Sequence, residues 1–499
     1  MNESSSIKKN AILLFLISVF AKGFAFLREI LLAYYFGAGL LIDAYNAGIT
    51  LSNSLLFLFS GGAFIPLLIS FILDTQNVKD KKRLNGFFLF LLSLSLLIVL
   101  VTYIFAPYLI SSVNEAIRSD VVSVVRITAF ATFFYALSSI IRAILNSYSE
   151  YKFSGAQDLV MTIVLVIGIF LAKDGRSLEV LSYTLLFASM FRVIIQVPSL
   201  VRASKNWVWD IELKIRSIFD YSRSFFPMIL ATLIPQIMIV STRIVSSHLG
   251  EGVISGLSYA DRTSDLVKSL VAYSLGAVIV APLSKSLKNG DSDKFMKVLN
   301  KSLVYSFAVS IPLFFVFLFW GSDIVQLLYQ RGSFTSDATA ITGEALSYYA
   351  FATLFSSPIF VVMSAMYSSQ NWKGVMLTTG IAVLVGTSFM FMTYQEWGIM
   401  SVALSLGVYS IITFVMLYSI VVRNHGIKYS LDLLQPILKL VAINFLSFTP
   451  AFFLYENNIL YMALIPVIYI ILSAISKEMV FVNTYKSSIK ILKRFLPNQ

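Results

Sequence analysis

The chain has 499 residues, of which 58% are hydrophobic and only 13% charged, with a net charge of +12 and a mean hydropathy of +0.81. Soluble domains carry about 25% charged residues, so this composition excludes an ordinary soluble protein and points to an integral membrane protein. With no cysteine there are no disulfides or thiolate metal sites, and two distant histidines, His248 and His425, leave no histidine cluster.

Apolar segments long enough to cross a hydrocarbon core of about 30 Å recur along the whole chain. They fall near 11–36, 41–73, 87–110, 121–147, 153–172, 178–201, 217–248, 252–284, 295–320, 339–369, 374–394, 397–422, 434–455 and 458–480. Their lengths suit helices, because barrel strands are short and alternate. The expected fold class is therefore an all-α polytopic membrane protein with about 14 transmembrane helices. Lys8 and Lys9 before an apolar run resemble a signal peptide, but no small-residue cleavage site follows, so the run is read as a retained first span.

With the N-terminus taken as cytoplasmic, 24 loop lysines and arginines fall inside and 4 outside (Arg118, Lys173, Arg176 and Arg331). That asymmetry predicts two cytoplasmic termini. It also accounts for the basic net charge without a nucleic-acid partner. The basic tail after Val482 suits anionic lipid head groups.

An internal repeat is also visible. Arg28 to Gly62-Ala63 is spaced like Arg243 to Gly276-Ala277, Tyr45 falls on Tyr259, and Pro66 has a counterpart near Pro282. Later, Tyr148-Ser149 resembles Tyr367-Ser368. The reading is two pseudo-symmetric six-helix lobes, 1–202 and 203–425, followed by 426–499 with spans 13 and 14 and the tail. Two such bundles meeting along a cleft can rock to open it to either side of the membrane.

The stretch 22–66 places Lys22, Arg28, Glu29 and Asp43 inside apolar blocks. A charge at the bilayer centre costs about 2.5 kcal/mol or more, so such a group implies a water-filled cavity for a charged ligand, or an ion-pair group that holds helices together. Asp43, just after Gly37 and Gly39, could cap its own helix or contact a base of the other lobe. Asp261 and Asp265 flank Arg262 at helical spacing, which allows a local salt bridge. Arg243 opens the second half and could face Glu29. Arg126, Arg142 and Arg192 read as structural or interfacial.

Several motifs carry a family resemblance. K-G-F-A-F-L-R-E (22–29), F-G-A-G-L-L-I-D-A (36–44), G-A-F-I-P (62–66), Y-A-D-R (259–262), L-Y-Q-R-G-S-F (328–334) and M-Y-S-S-Q (366–370) resemble the MurJ/MviN family of the MOP exporter superfamily. The resemblance implies a flippase for lipid II, the undecaprenyl-diphosphate-linked peptidoglycan precursor, in the bacterial inner membrane. It implies a cationic central cavity whose bases fall on Lys22, Arg28 and Arg262, and Arg243 is a further substrate-binding candidate. Glu29, Asp43 and Asp261 become gating or counter-charge residues.

This chain departs from the family pattern at Lys22, at Leu56, at Leu51-Ser52-Asn53 and at Thr242-Arg243, which bears on the head group carried. No nucleotide loop, zinc helix or thiol nucleophile is present, so no enzyme activity or cofactor is expected. Energy would come from a monovalent ion gradient, the membrane potential or consumption of the product. The rival readings are a flippase for O-antigen or capsule repeat units, an ion-coupled antiporter for small cations, and a non-transporting scaffold. A basic cavity argues against the antiporter.

Overall fold

The computed structural model describes residues 3–60, 64–75, 77–148, 150–175, 177–204, 207, 209–425 and 429–453. Among them the chain forms fifteen α-helices and no strand. The N-terminal helices are α1 (Glu3–Phe36), α2 (Leu40–Ser60), α3 (Phe64–Asp74), α4 (Val78–Leu109), α5 (Glu115–Ser147), α6 (Tyr151–Ala172), α7 (Leu178–Ile194) and α8 (Val197–Ser204). They are followed by α9 (Ile215–Ser246), α10 (Val253–Lys288), α11 (Ser292–Tyr329), α12 (Ser336–Ser368), α13 (Trp372–Trp397), α14 (Ile399–His425) and α15 (Tyr429–Phe453). Nine helical segments among the described residues are long and apolar enough to cross a membrane. The expected span 458–480, the basic tail and the Gly62-Ala63 element of the repeat lie outside the described residues.

The helices start where short polar side chains can cap them. Asn77 accepts from the Asp80 amide at 2.9 Å, Asn114 from Ala116 at 3.0 Å and Ser177 from Val180 at 3.2 Å. One expected span is two helices. The run 178–201 breaks between α7 and α8 because Pro198 has no N–H and its ring would clash with the carbonyl of Ile194, where α7 stops. The run expected at 295–320 continues to Tyr329, with a non-helical turn at Trp320 (φ −123°, ψ 24°).

By contacts the chain divides into two compact units. The first comprises Met1–Leu266, Val325–Ala345 and Thr379–Val402; the second comprises Val267–Ile324, Leu346–Thr378 and Ala403–Gln499. In the first unit α5 is the central helix and packs on α2, α4 and α7. Its buried face carries Thr128, Ala129, Ala131, Thr132, Ala136 and Ser139, small residues that let neighbours approach closely. Gly48 on α2 faces Val124, and Ser52 and Thr128 share a hydrogen bond of 2.6 Å.

Away from this core, α4 turns Leu96, Leu97, Leu100, Val101, Ile104 and Phe105 outward, all exposed. A soluble protein would hide so long an apolar face, whereas hydrocarbon solvates it. The second unit is held by aromatic packing, with Phe307, Phe355 and Phe414 at centroid separations of 5.4–6.1 Å, and Phe315 stacked on Phe448 at 5.3 Å.

Candidate functional site

Within the first unit, α1 and the part of α10 up to Leu266 place five charged side chains together. On α1, Lys22, Phe26 and Glu29 follow one another at four and three residues, so they share a helix face. On α10, Arg262 and Asp265 are three apart and share a face in the same way. The carboxylate of Glu29 meets the guanidinium of Arg28 and lies 4.0 Å from Nε of Arg262. Nζ of Lys22 lies 3.8 Å from Asp265. Three cations thus face two carboxylates, which leaves one net positive charge.

Glu29 is largely buried, with a side chain 10% exposed, whereas Lys22 and Arg262 keep 34% and 45% of theirs open. A cavity of about 80 Å³ is lined by Lys22, Phe26, Arg28, Glu29, Arg262 and Asp265. Arg28, Glu29 and Arg262 also line a second cavity of about 220 Å³, so they form the wall shared by the two. Tyr45, Asn46 and Asn53 of α2 and Tyr135 of α5 also line that cavity, among apolar residues such as Leu32, Ile49 and Leu165. Asn46 is buried, and its Nδ2 has no hydrogen-bond partner among the described residues.

Tyr135 joins this cavity to a buried polar network. Its hydroxyl donates to Sδ of Met161 at 2.8 Å, and its ring lies 4.5 Å beneath the guanidinium of Arg192. Arg192 donates to Asp158 at 2.7 Å and to Ser138 at 3.1 Å. Gln196 donates to Ser138 and Gln157. Arg142 approaches the other Asp158 oxygen at 3.9 Å. These contacts tie α5, α6 and α7 together.

Of the residues singled out in the sequence, Lys22, Arg28, Glu29 and Arg262 stand side by side. The other three do not join them. Arg243 lines a separate small cavity and donates to Thr50 at 3.2 Å and to the Ile254 carbonyl at 3.3 Å, whereas the Glu29 carboxylate meets Arg28 and Arg262. Asp261 lines neither charged cavity, and the carboxylate beside Lys22 is Asp265, one turn further on.

Asp43 neither caps its own helix nor faces a base. Its two oxygens accept from the Gly252 and Ser255 amides, each at 2.7 Å, at the start of α10. Glu251 returns the contact and accepts from the Leu40 amide at the start of α2 at 3.3 Å. The two helices therefore exchange caps. The end of α1 is braced at its own turn. Ser333 donates through N to Tyr34 at 2.8 Å and through Oγ to Tyr35 at 3.1 Å, and Tyr259 donates to Gly37 at 3.0 Å.

Tyr45, Asn46, Asn53 and Tyr135 escaped the sequence reading as cavity residues. The signal for two of them was present, since Asn46 and Asn53 are seven apart on an apolar helix and so share a face.

Comparison with known proteins gives a consistent result. The family model described as "Lipid II flippase MurJ" matches residues 32–482. A "Probable lipid II flippase MurJ" of Buchnera aphidicola (subsp. Schizaphis graminum) is 25% identical over 470 residues, covering 90% of each chain. The "Lipid II flippase MurJ" of Burkholderia cenocepacia is 22% identical and covers 80% of each. Among solved structures, "Lipid II flippase MurJ, inward closed conformation" aligns with a TM-score of 0.80 at 22% identity, covering 94% of this chain and 99% of that one. A multidrug resistance MATE family transporter of the MOP superfamily, inward-facing, aligns at 0.58 with 12% identity, covering 82% and 94%.

Proposed function

The chain belongs to the lipid II flippase MurJ family, and on that premise we propose that it carries lipid II across the inner membrane by alternating access. The reading rests above all on one observation: Lys22, Arg28 and Arg262 meet at one cavity wall between α1 and α10. A cluster of cations facing water inside an apolar protein suits an anionic head group, and Arg presents a planar fork that matches phosphate oxygens.

In this mechanism the diphosphate takes the place of the carboxylates that now neutralise the bases. Glu29 gives up Arg28 and Arg262, and Asp265 gives up Lys22. Each exchange swaps one charge-assisted contact for another, so binding is favourable without being irreversible. When the lobes rock, the carboxylates regain the bases and the phosphate leaves. The polar wall of Asn46, Asn53 and Tyr135 would meet the sugar hydroxyls. Cavities of about 80 and 220 Å³ are smaller than the roughly 300–1,000 Å³ that holds a drug-sized ligand, so α1 and α10 must separate to admit the cargo.

Both termini would be cytoplasmic, on the basis of the loop lysines and arginines. The membrane potential or a monovalent ion gradient would bias the rocking, because one unit charge moved across 100 mV is worth about 2.3 kcal/mol.

The test is reconstitution into vesicles loaded with lipid II or with other polyprenyl-diphosphate-linked glycans. Exposure of the head group to an enzyme added on one side reports translocation. The reading requires faster exposure of lipid II than of an O-antigen or capsule precursor, and equal exposure with empty vesicles would overturn it.

A further inference from the structure

We propose that a second site, on the lipid-facing flank formed by α4, α5 and α7, binds a zwitterionic phospholipid, with its phosphate on Arg126 and its ammonium on Glu179. A cavity of about 630 Å³ opens there, lined by Tyr103, Arg126, Phe130, Glu179 and Tyr183. It shares no residue with the charged cavities at α1 and α10.

Arg126 sets the problem the site solves. Its Nε donates to the Tyr103 carbonyl at 3.3 Å and its guanidinium lies 5.5 Å from the centre of the Tyr103 ring. Neither contact supplies a countercharge, and no carboxylate pairs with it among the described residues. An unneutralised guanidinium in a membrane-embedded helix wants an anion. Tyr103 is six residues, about 9 Å, from the end of α4, so the site lies toward one end of that 32-residue helix and not at its middle.

Glu179 decides which lipid. It sits in the first turn of α7, is exposed, and lines the same cavity without pairing with Arg126. Opposite charges that share a cavity and do not touch fit a ligand that carries both signs. A purely anionic lipid would satisfy Arg126 and be repelled by Glu179. A primary ammonium one ethylene from the phosphate satisfies both, so phosphatidylethanolamine is the occupant the charges select.

The surroundings suit the rest of the molecule. Tyr103, Phe130 and Tyr183 are 43%, 39% and 48% exposed and offer ring faces to the glycerol region. From Tyr183 an exposed apolar stripe continues along α7 through Phe187, Phe191 and Ile194, eleven residues or about 16 Å. It provides a track for an acyl chain.

Native mass spectrometry of the purified full chain, delipidated and titrated with phosphatidylethanolamine or phosphatidylglycerol of equal chain length, tests this. The wild type should retain one phosphatidylethanolamine about fivefold more tightly than phosphatidylglycerol. R126Q should weaken both by about fivefold, R126K should recover most of the loss, and E179Q should abolish the preference between the two lipids. Equal retention in wild type and R126Q, or a wild-type preference for phosphatidylglycerol, would overturn the proposal. Should R126Q fold poorly, E179Q decides: an intact preference in that variant refutes the site.

Discussion

The Glu29 carboxylate on α1 lies 4.0 Å from the Arg262 guanidinium on α10, across the cavity wall that both helices share. Glu29 also meets Arg28 on its own helix, so one acid neutralises two of the three bases. It occupies the place a phosphate would take. Glu29→Gln removes that competitor. Binding of a polyprenyl diphosphate to the purified variant, followed by tryptophan fluorescence or calorimetry, should tighten by about tenfold, while translocation slows because release is hindered. Weaker binding by Glu29→Gln would show that the acid orients the bases rather than competes with the cargo.

Asp43 gives a second prediction. Both of its oxygens accept backbone amides at the start of α10, and the side chain is 2% exposed. An amide in its place has one acceptor where two are needed and loses the charge assistance. In Asp43→Asn, hydrogen exchange at the Gly252 and Ser255 amides should accelerate by about tenfold or more relative to the rest of α10. Unchanged exchange there would mean that the cap does not hold the two helices together.

Arg192, a buried base on a half-exposed acid, contrasts with Lys82, whose ion pair lies at the surface. Arg192 is 6% exposed and anchored to Asp158 and Ser138, whereas Lys82 pairs with Asp210 at 2.7 Å in the open. Arg192→Ala removes the donors to buried Ser138 and to a half-exposed Asp158 that Arg142 still approaches, at a cost of about 1–3 kcal/mol. Lys82→Ala should cost less than about 1 kcal/mol. Denaturant unfolding in detergent measures both, and similar losses would contradict the structural role given to the Arg192 network.

Gly37 gives a prediction about the brace at the end of α1. Its φ is +67°, and a Cβ there would run into the Ser333 carbonyl. Gly37→Ala therefore combines backbone strain with a clash, and should destabilise the protein by about 1–3 kcal/mol. The same unfolding assay reads it. A wild-type midpoint would show that the 330–335 turn moves aside.

Much of this was legible in the sequence, because the signals involved are local. Long apolar runs located the helices, and the cost of intramembrane charge drew attention to Lys22, Arg28 and Glu29. Pro198 is the local signal for the break in its span, because its ring clashes with the preceding turn. The partner of Asp43 could not be read, since backbone amides are donors at every position and 209 residues separate Asp43 from Gly252. Arg243 and Asp261 misled for a related reason. Repeat spacing and adjacency fix where a residue sits along its own helix, but what it faces depends on how that helix is rotated and set in height among its neighbours. Asp261 and Asp265, four apart, share a helix face and differ in height along it, and Asp265 is the one level with Lys22.

The most direct measurement is the rate at which lipid II in vesicles reaches an enzyme on the far side, compared between wild type, Arg28→Ala and Arg262→Ala. The account predicts a slowing of about tenfold or more in each variant, accompanied by weaker head-group binding. Wild-type rates in both variants would contradict it.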